Sequence, residues 1–189
     1  ERYGTPWRVA NRLFWFKNDG LQNQSVLYVQ DDGGTPRVLI DPNTLSEDGT
    51  VALGGLSISE DARSMAYSLS VSGSDWRTWY VRDVDTGEDL EDRVEWSKFS
   101  GASWAHDGSG FYYSRYDEPK EGDEFEQTNY YQKVFFHRLG TPQSEDALVY
   151  ERPDQKEWGF GANVTEDGDY LILSVWKGTS QKNGVFYRD

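Results

Sequence analysis

Two landmarks recur out of phase along this chain and restrict it to a repeating β architecture. A short turn built on Asp recurs at Asp61-Ala62, Asp107-Gly108 and Asp167-Gly168. An aromatic and branched landmark recurs as Val26-Leu27-Tyr28, Trp79-Tyr80-Val81, Val134-Phe135-Phe136 and Val185-Phe186-Tyr187. The spacing is 52 residues from Tyr28 to Tyr80, 56 from Tyr80 to Phe136 and 51 from Phe136 to Tyr187. Four strand signals in each period of about fifty residues predict β-propeller blades. The reading is an all-β chain, a partial β-propeller of about four blades, each a four-stranded antiparallel sheet. The units run over 3–43, 48–93, 98–151 and 158–189, and the last is expected to be incomplete.

Within these units the strands alternate with turn residues that tolerate positive φ, such as Asn18-Asp19-Gly20, Asp32-Gly33-Gly34 and Asp85-Thr86-Gly87. The clearest alternation puts Met65, Tyr67, Leu69 and Val71 on one face and Ser64, Ala66, Ser68 and Ser70 on the other, the signature of a half-buried strand. Asp75 is read as the start of a third strand that runs to Val84, and Asp89–Glu91 as a short outer strand. A new inner strand is read over Gly101–Ala105. The one long loop, Tyr116–Tyr131, is acidic and carries Pro and Gly; connections of this length inside a compact domain are usually functional.

Composition narrows the function classes. Aromatic residues make up 15% of the chain, enough to fill interfaces between sheets although the hydrophobic fraction is only 36%. The formal charge of −14 argues against binding nucleic acid through phosphates and against anionic membranes. There is no Cys, so neither a disulfide, a thiolate zinc site nor a thiol nucleophile is available. No run of about 18 apolar residues suits a membrane-spanning helix, and Glu1-Arg2-Tyr3-Gly4 does not open a signal peptide. It reads as sequence entered in mid-domain. The expected compartment is the cytoplasm, or the periplasm of a bacterium.

No catalytic constellation is legible. The G-x-S-x-G elbow is absent, and Ser109 stands in a Gly108-Ser109-Gly110 hairpin turn without the strand-to-helix context that a nucleophile needs. The two histidines read as structural: His106 beside an Asp-Gly turn, and His137 within a strand where it is either structural or exposed. They lack metal-ligand spacing, and no cofactor is implied. The carboxylates fall mostly in turns and at strand edges, ordinary places for Asp and Glu. Ser46-Glu47-Asp48-Gly49-Thr50 has the outline of an Asp-box but lacks the following aromatic and does not recur, which disfavours a glycan-binding propeller.

Several longer strings are more specific. Asp41-Pro42-Asn43-Thr44-Leu45-Ser46-Glu47-Asp48-Gly49-Thr50-Val51-Ala52-Leu53 resembles the propeller of the prolyl oligopeptidases, post-proline-cleaving serine peptidases. So do Gly20-Leu21-Gln22-Asn23-Gln24, Ser72-Gly73-Ser74-Asp75-Trp76, Lys98-Phe99-Ser100, His106-Asp107-Gly108 and Leu139-Gly140-Thr141, in order along essentially the whole chain. The resemblance implies a seven-bladed propeller over an α/β-hydrolase domain, with this chain as roughly the first half of the ring. The Ser-Asp-His triad would then lie C-terminal to Asp189, so the chain alone is expected to be inactive. Its implied partners are proline-containing peptides, the remaining blades and the hydrolase domain.

The resemblance also assigns site residues. Phe99 matches a Phe that projects into the substrate cavity and lines the apolar subsite two residues upstream of proline; the residue pattern alone favours an aromatic packed between blades, and the resemblance reverses that preference. Trp176 and Thr179 stand where mammalian members carry Arg and Cys, and Gly159 where they carry Met. These departures put a backbone-binding Arg and a reactive thiol in doubt, and imply that Trp176 widens an apolar wall. Asp75 is read either as a strand-edge cap or as an acidic group that biases the cavity mouth towards cationic peptides. The Tyr116–Tyr131 loop matches a mobile loop at the family's domain interface. A reading of a different class remains open, a self-standing binding module that covers its blade faces by oligomerising.

Overall fold

The computed structural model describes residues 1–120 and 129–189, so the centre of the acidic loop singled out above lies outside the described residues. The innermost strand of the first sheet comes in two pieces, β1 (Arg2–Tyr3) and β2 (Trp7–Val9), both paired with β3 (Arg12–Asn18). Pro6 stands in the break, where its missing N–H cannot serve the ladder. β4 (Val26–Asp31) and β5 (Arg37–Ile40) continue the sheet outward, antiparallel throughout.

The next two sheets are joined. β6 (Val51–Ile58), β7 (Ser64–Val71) and β8 (Arg77–Asp83) lead to β9 (Asp89–Trp104), which then pairs with β10 (Gly110–Arg115), followed by β11 (Lys133–Arg138) and β12 (Ala147–Tyr150). The separate short strands read over Asp89–Glu91 and Gly101–Ala105 are therefore the two ends of one strand of 16 residues. Its first half is the outer strand of one blade and its second half the inner strand of the next. Ser97 is the handover: it pairs with Arg77 of β8 and with Arg115 of β10. Trp96 (φ 62) and Phe99 (φ 54) on either side adopt the left-handed region, which swings the chain between blades, and the register shifts there: Lys98–Gly101 bulge out of the pairing with β10 between Ser97 and Ala102. The last sheet is β13 (Trp158–Val164), β14 (Leu171–Lys177) and β15 (Gly184–Arg188).

The cores lie between sheets. Phe14, Leu27, Ile40, Met65 and Tyr67 pack together between the first two blades. Ala66, Trp79, Trp104, Phe111 and Tyr113 pack between the second and third, and Val134, Phe160, Leu171 and Leu173 between the third and fourth. The half-buried reading of Ser64–Val71 is corrected by this arrangement. Met65 and Tyr67 face one core while Ala66 faces the next, and Ser68 is fully buried. A sheet sandwiched between two others has no solvent face, so alternation separates large from small residues instead of buried from exposed.

The recurrent Asp turns share one geometry. Asp61, Asp107 and Asp167 each accept a hydrogen bond from the backbone N–H two residues on, at 3.0, 2.9 and 3.2 Å. The residue after each Asp is left-handed: Ala62 (φ 57), Gly108 (φ 69) and Gly168 (φ 77). Ala10 (φ 48) is the first blade's equivalent, missed in the sequence because no Asp precedes it. Each turn joins the inner strand to its neighbour, so all four lie on one face of the arc. Trp104 Nε1 donates to Ser57 O at 3.0 Å, and Val164 N donates to Ser103 Oγ at 2.9 Å, so the inner strands of blades two to four finish level with one another. The loops after the second strand and the crossings between blades consequently lie on the opposite, loop face.

Polar groups also cross between blades. Arg12 bonds Asp31 in its own blade and, in the next, Ala62 O and the Asp85 carboxylate. A buried link is made by His137, whose Nδ1 lies 2.7 Å from Asp146 Oδ1 and whose Nε2 lies 3.0 Å from Asp92 Oδ1. Tyr113 Oη donates to Asp146 Oδ2 at 2.6 Å, and Gly140 N donates to Asp92 Oδ1 at 2.6 Å. Burial of the His137 ring opposes its charge, but its hydrogen bonds to Asp146 and Asp92 and their attraction outweigh this and push it up from 6.5 to about 9. Burial likewise opposes ionisation of Asp92, but the bonds from His137 and Gly140 N hold its carboxyl below the usual range. The result is a buried imidazolium clamped between two carboxylates from the outer strand of one blade and the outer turn of the next.

Two expectations follow from these contacts. His137 gains proton affinity on folding, so its stabilisation is complete below pH 6.5 and is lost as pH rises through about 9. Urea unfolding should show roughly 3 kcal/mol less stability at about pH 10 than at about pH 6, and the difference should vanish in His137→Leu. Among the turns, Gly108→Ala meets open space and should cost about 1–2 kcal/mol for its left-handed φ alone. Gly168→Ala has the same φ problem, and its Cβ would also lie 2.7 Å from His106 Cβ, so it should lower the thermal midpoint further than Gly108→Ala.

Candidate functional site

The loop face carries all five residues read as candidate site positions. Phe99 is displayed by the bend in β9: its φ of 54 lifts it out of the strand, and 53% of its surface is exposed. It is not packed between blades. A left-handed aromatic residue costs of order 1–3 kcal/mol, and such a conformation persists only where its surroundings fix it. Those surroundings are polar and buried. Trp79 Nε1 donates to Ser97 Oγ at 3.1 Å, Ser97 Oγ donates to Ser114 O at 2.9 Å, and Ser114 N donates to Ser100 Oγ at 2.7 Å. Ser97 and Ser114 are completely buried, so breaking this chain would leave donors unsatisfied.

Beside Phe99 stands a cluster that sequence reasoning did not assemble. Lys98 Nζ lies 4.8 Å from the centre of the Trp76 ring and 5.6 Å from that of Phe99. Trp96 and Tyr116 each make a T-shaped contact with Trp76, with ring centres 5.8 and 6.1 Å apart. Tyr116 is buried, which pushes its phenol up to about 12 and keeps it neutral. Asp75 does not begin a strand. β8 starts at Arg77, and Asp75 sits exposed in the preceding turn with its Oδ2 3.9 Å from Lys98 Nζ. The Asp75 and Lys98 charges therefore answer one another across the ledge that carries Phe99. The string Ser72-Gly73-Ser74-Asp75-Trp76 was the available signal; the partnership with Lys98 had none.

Gly159 and Trp176 form a second unit. They pair directly between β13 and β14, and a Cβ built on Gly159 would lie 2.4 Å from Cε2 and Nε1 of Trp176. A Cβ built on Gly161 would likewise lie 3.5 Å from Cζ3 of the same indole, an ordinary contact. The absence of a side chain at 159 is thus what allows the indole to lie flat on β13. Thr179 is exposed in the turn after β14, next to Gly178 (φ 48). Trp176 and Thr179 share the loop face with Phe99 but not its cluster.

The other candidate groups are placed away from this ledge. His106 is on the turn face, its Nδ1 2.5 Å from Glu60 Oε2, with Gly168 packed against its ring. Ser109 occupies an Asp-anchored hairpin turn. Both ring nitrogens of His137 are engaged by carboxylates, so the ring has no free lone pair for base catalysis. Among the described residues no group of three or more His, Cys, Asp or Glu could hold a metal ion, and no helix is long and apolar enough to cross a membrane. Among the described residues the loop face offers apolar surface, ring faces and several charge pairs, including Lys98–Asp75, Lys133–Asp117 and Lys177–Glu157, groups that can bind and orient a peptide.

Residues 1–189 match the family model described as the prolyl oligopeptidase N-terminal β-propeller domain. A prolyl endopeptidase of Elizabethkingia meningoseptica is 40% identical over 189 residues, which is 100% of this chain and 26% of that protein. The dual function macrocyclase-peptidase POPB of Galerina marginata is 37% identical over 191 residues, 90% of this chain and 26% of that protein. The structure of prolyl oligopeptidase B from Galerina marginata bound to a 35mer hydrolysis and macrocyclization substrate superposes with a TM-score of 0.88 at 33% identity, covering 98% of this chain and 28% of that one. The chain therefore spans about a quarter of the length of the relatives it matches.

The Gly159–Trp176 contact gives a direct expectation. Gly159→Ala forces the indole off β13 and should cost about 1–3 kcal/mol by overpacking. Adding Trp176→Ala should recover part of that loss, and a double-variant cycle on thermal or urea midpoints measures the coupling.

Proposed function

The chain belongs to the prolyl oligopeptidase family, within its N-terminal β-propeller domain, and on that footing we propose that it serves as gate and cavity wall for an enzyme that hydrolyses short peptides after proline. The observation that carries this reading is the built display of Phe99 on the loop face, held left-handed by a satisfied buried network. A flat ring gains from contact with any apolar side chain and demands no particular one, which suits a subsite two residues upstream of proline. The sheets contribute exclusion: closely packed blades with interlocked cores cannot admit a folded polypeptide, whereas a short extended peptide can reach a ledge beside them. The nucleophile, base and oxyanion donors belong to another part of the whole enzyme in this proposal.

The Asp75–Lys98 pair refines the expected charge preference. Because the two charges are adjacent, the ledge itself carries little net charge, and any bias towards cationic peptides would come from the overall −14. Such a bias acts at long range on association and should fade as salt shortens the screening length.

Two measurements test the proposal. This segment is exchanged for its counterpart in the full-length Elizabethkingia meningoseptica enzyme. Phe99→Ala should then raise KM about tenfold for peptides with a large apolar residue two positions before proline, with little change where that residue is Gly. Equal behaviour of the two peptides would refute the Phe99 contact. The 189-residue chain alone should not turn over a chromogenic Gly-Pro substrate, and turnover above a buffer blank would refute the assignment of chemistry to another domain.

A further inference from the structure

Gln132 occupies an unusual position for a polar residue. It stands at the end of the long segment after β10, directly before β11, and is 1% exposed. Its Nε2 donates to Lys98 O at 2.7 Å, and its Oε1 accepts from Phe160 N at 2.6 Å. Lys98 immediately precedes Phe99, and Phe160 immediately follows Gly159. One buried amide thus spans from the strand that displays Phe99 to the strand on which Trp176 lies.

The surrounding contacts leave this bridge little freedom. Ser114 Oγ donates to Phe160 O at 2.7 Å, so both backbone polar groups of Phe160 are held by side chains of the third blade. Ser114 N also fixes Ser100 Oγ, on the other side of Phe99 from Lys98. At the segment itself, Tyr131 is left-handed (φ 61) and its N–H donates to Lys156 O at 2.8 Å, which delivers Gln132 inward at a fixed point. A buried amide that satisfies one donor and one acceptor on two different strands acts as a spacer, since sliding either strand breaks a bond that water cannot replace.

From these contacts we infer that Gln132 is a positioning residue that sets the separation between the Phe99 ledge and the Gly159–Trp176 wall, and with it which side chains fit between them. It touches no substrate; it acts through the backbones of Lys98 and Phe160. The inference rests on the proposed role of the loop face in lining the peptide cavity.

The test uses the full-length exchange enzyme described above. Gln132→Glu keeps the acceptor for Phe160 N but sets a carboxylate oxygen against Lys98 O. Two peptides are compared, one with a large apolar residue and one with Gly two positions before proline. Gln132→Glu should reduce the enzyme's preference for the large residue about fivefold to tenfold, through KM and not kcat. Tyr113→Phe, which loosens the buried His137 network at the other end of the same blade, should lower the melting temperature without changing that preference. If Gln132→Glu does not fold, Gln132→Met, which fills similar volume without hydrogen bonds, is read in the same way. An unchanged preference in the folded Gln132 variant, or an equal change in Tyr113→Phe, overturns the inference. If Phe99→Ala alters the preference and Gln132 does not, only the positioning role fails; if Phe99→Ala has no effect, the cavity-lining reading fails and takes this one with it.

Discussion

Each sheet in this molecule has two faces to bury, and only another sheet can cover them. That constraint explains the aromatic richness, since wedge-shaped gaps between twisted sheets take large rings better than aliphatic side chains. Trp79, Trp104, Phe111 and Tyr113 fill one such gap. It also explains why buried polar residues cluster where blades meet. A sheet that must dock on both sides is held in register by directional bonds as well as by apolar contact. Arg12 supplies them between the first two blades, His137 with its two aspartates between the second and third, and Ser114 with Gln132 between the third and fourth.

The same constraint produces the displayed site. One strand must leave the outer edge of a blade and become the inner edge of the next. β9 does this as one strand, at the cost of a bulge in its pairing and left-handed backbone at Trp96 and Phe99. The strain projects Phe99 from the loop face, and Trp76, Lys98 and Asp75 gather around it because the preceding loop passes alongside. The two ends of the blades thereby diverge in character. The turn face is closed by tight Asp-anchored turns, whereas the loop face carries the crossings and the exposed ring.

Much of this was legible because it is local. The Asp turns announce themselves since the carboxylate bonds an N–H two residues away, and the residue between needs only to tolerate positive φ. The strings that carried the family resemblance also have a physical basis. Gln24 and Asn43 exchange two hydrogen bonds, Gln24 N to Asn43 Oδ1 at 3.0 Å and Asn43 Nδ2 to Gln24 O at 2.9 Å. Gln24 then binds both Val51 O and Leu53 N, so the loop, the short helical turn and the next inner strand are tied by one pair of amides. What misled was alternation: in Ser64–Val71 it marked two different packing partners, and the serines that looked solvent-facing are mostly buried. At Asp89–Trp104 the strand's continuity was hidden because neither half looks like part of the other.

By itself the sequence determined the repeating β architecture, from landmarks about fifty residues apart, and the Asp-anchored turns and the lack of a nucleophile motif, which depend on residues a few positions apart. Only the tertiary structure decided that Phe99 is exposed, that Lys98 answers Asp75, that Trp176 needs Gly159 to be bare, and that His137 is clamped as a cation. These depend on pairs distant in the chain: His137 and Asp92 are separated by 45 positions, and Gln132 lies 34 from Lys98 and 28 from Phe160. A side chain's chemistry names the bonds it is able to make, but the stacking of blades chooses the partner, and no periodicity in a single chain encodes that choice.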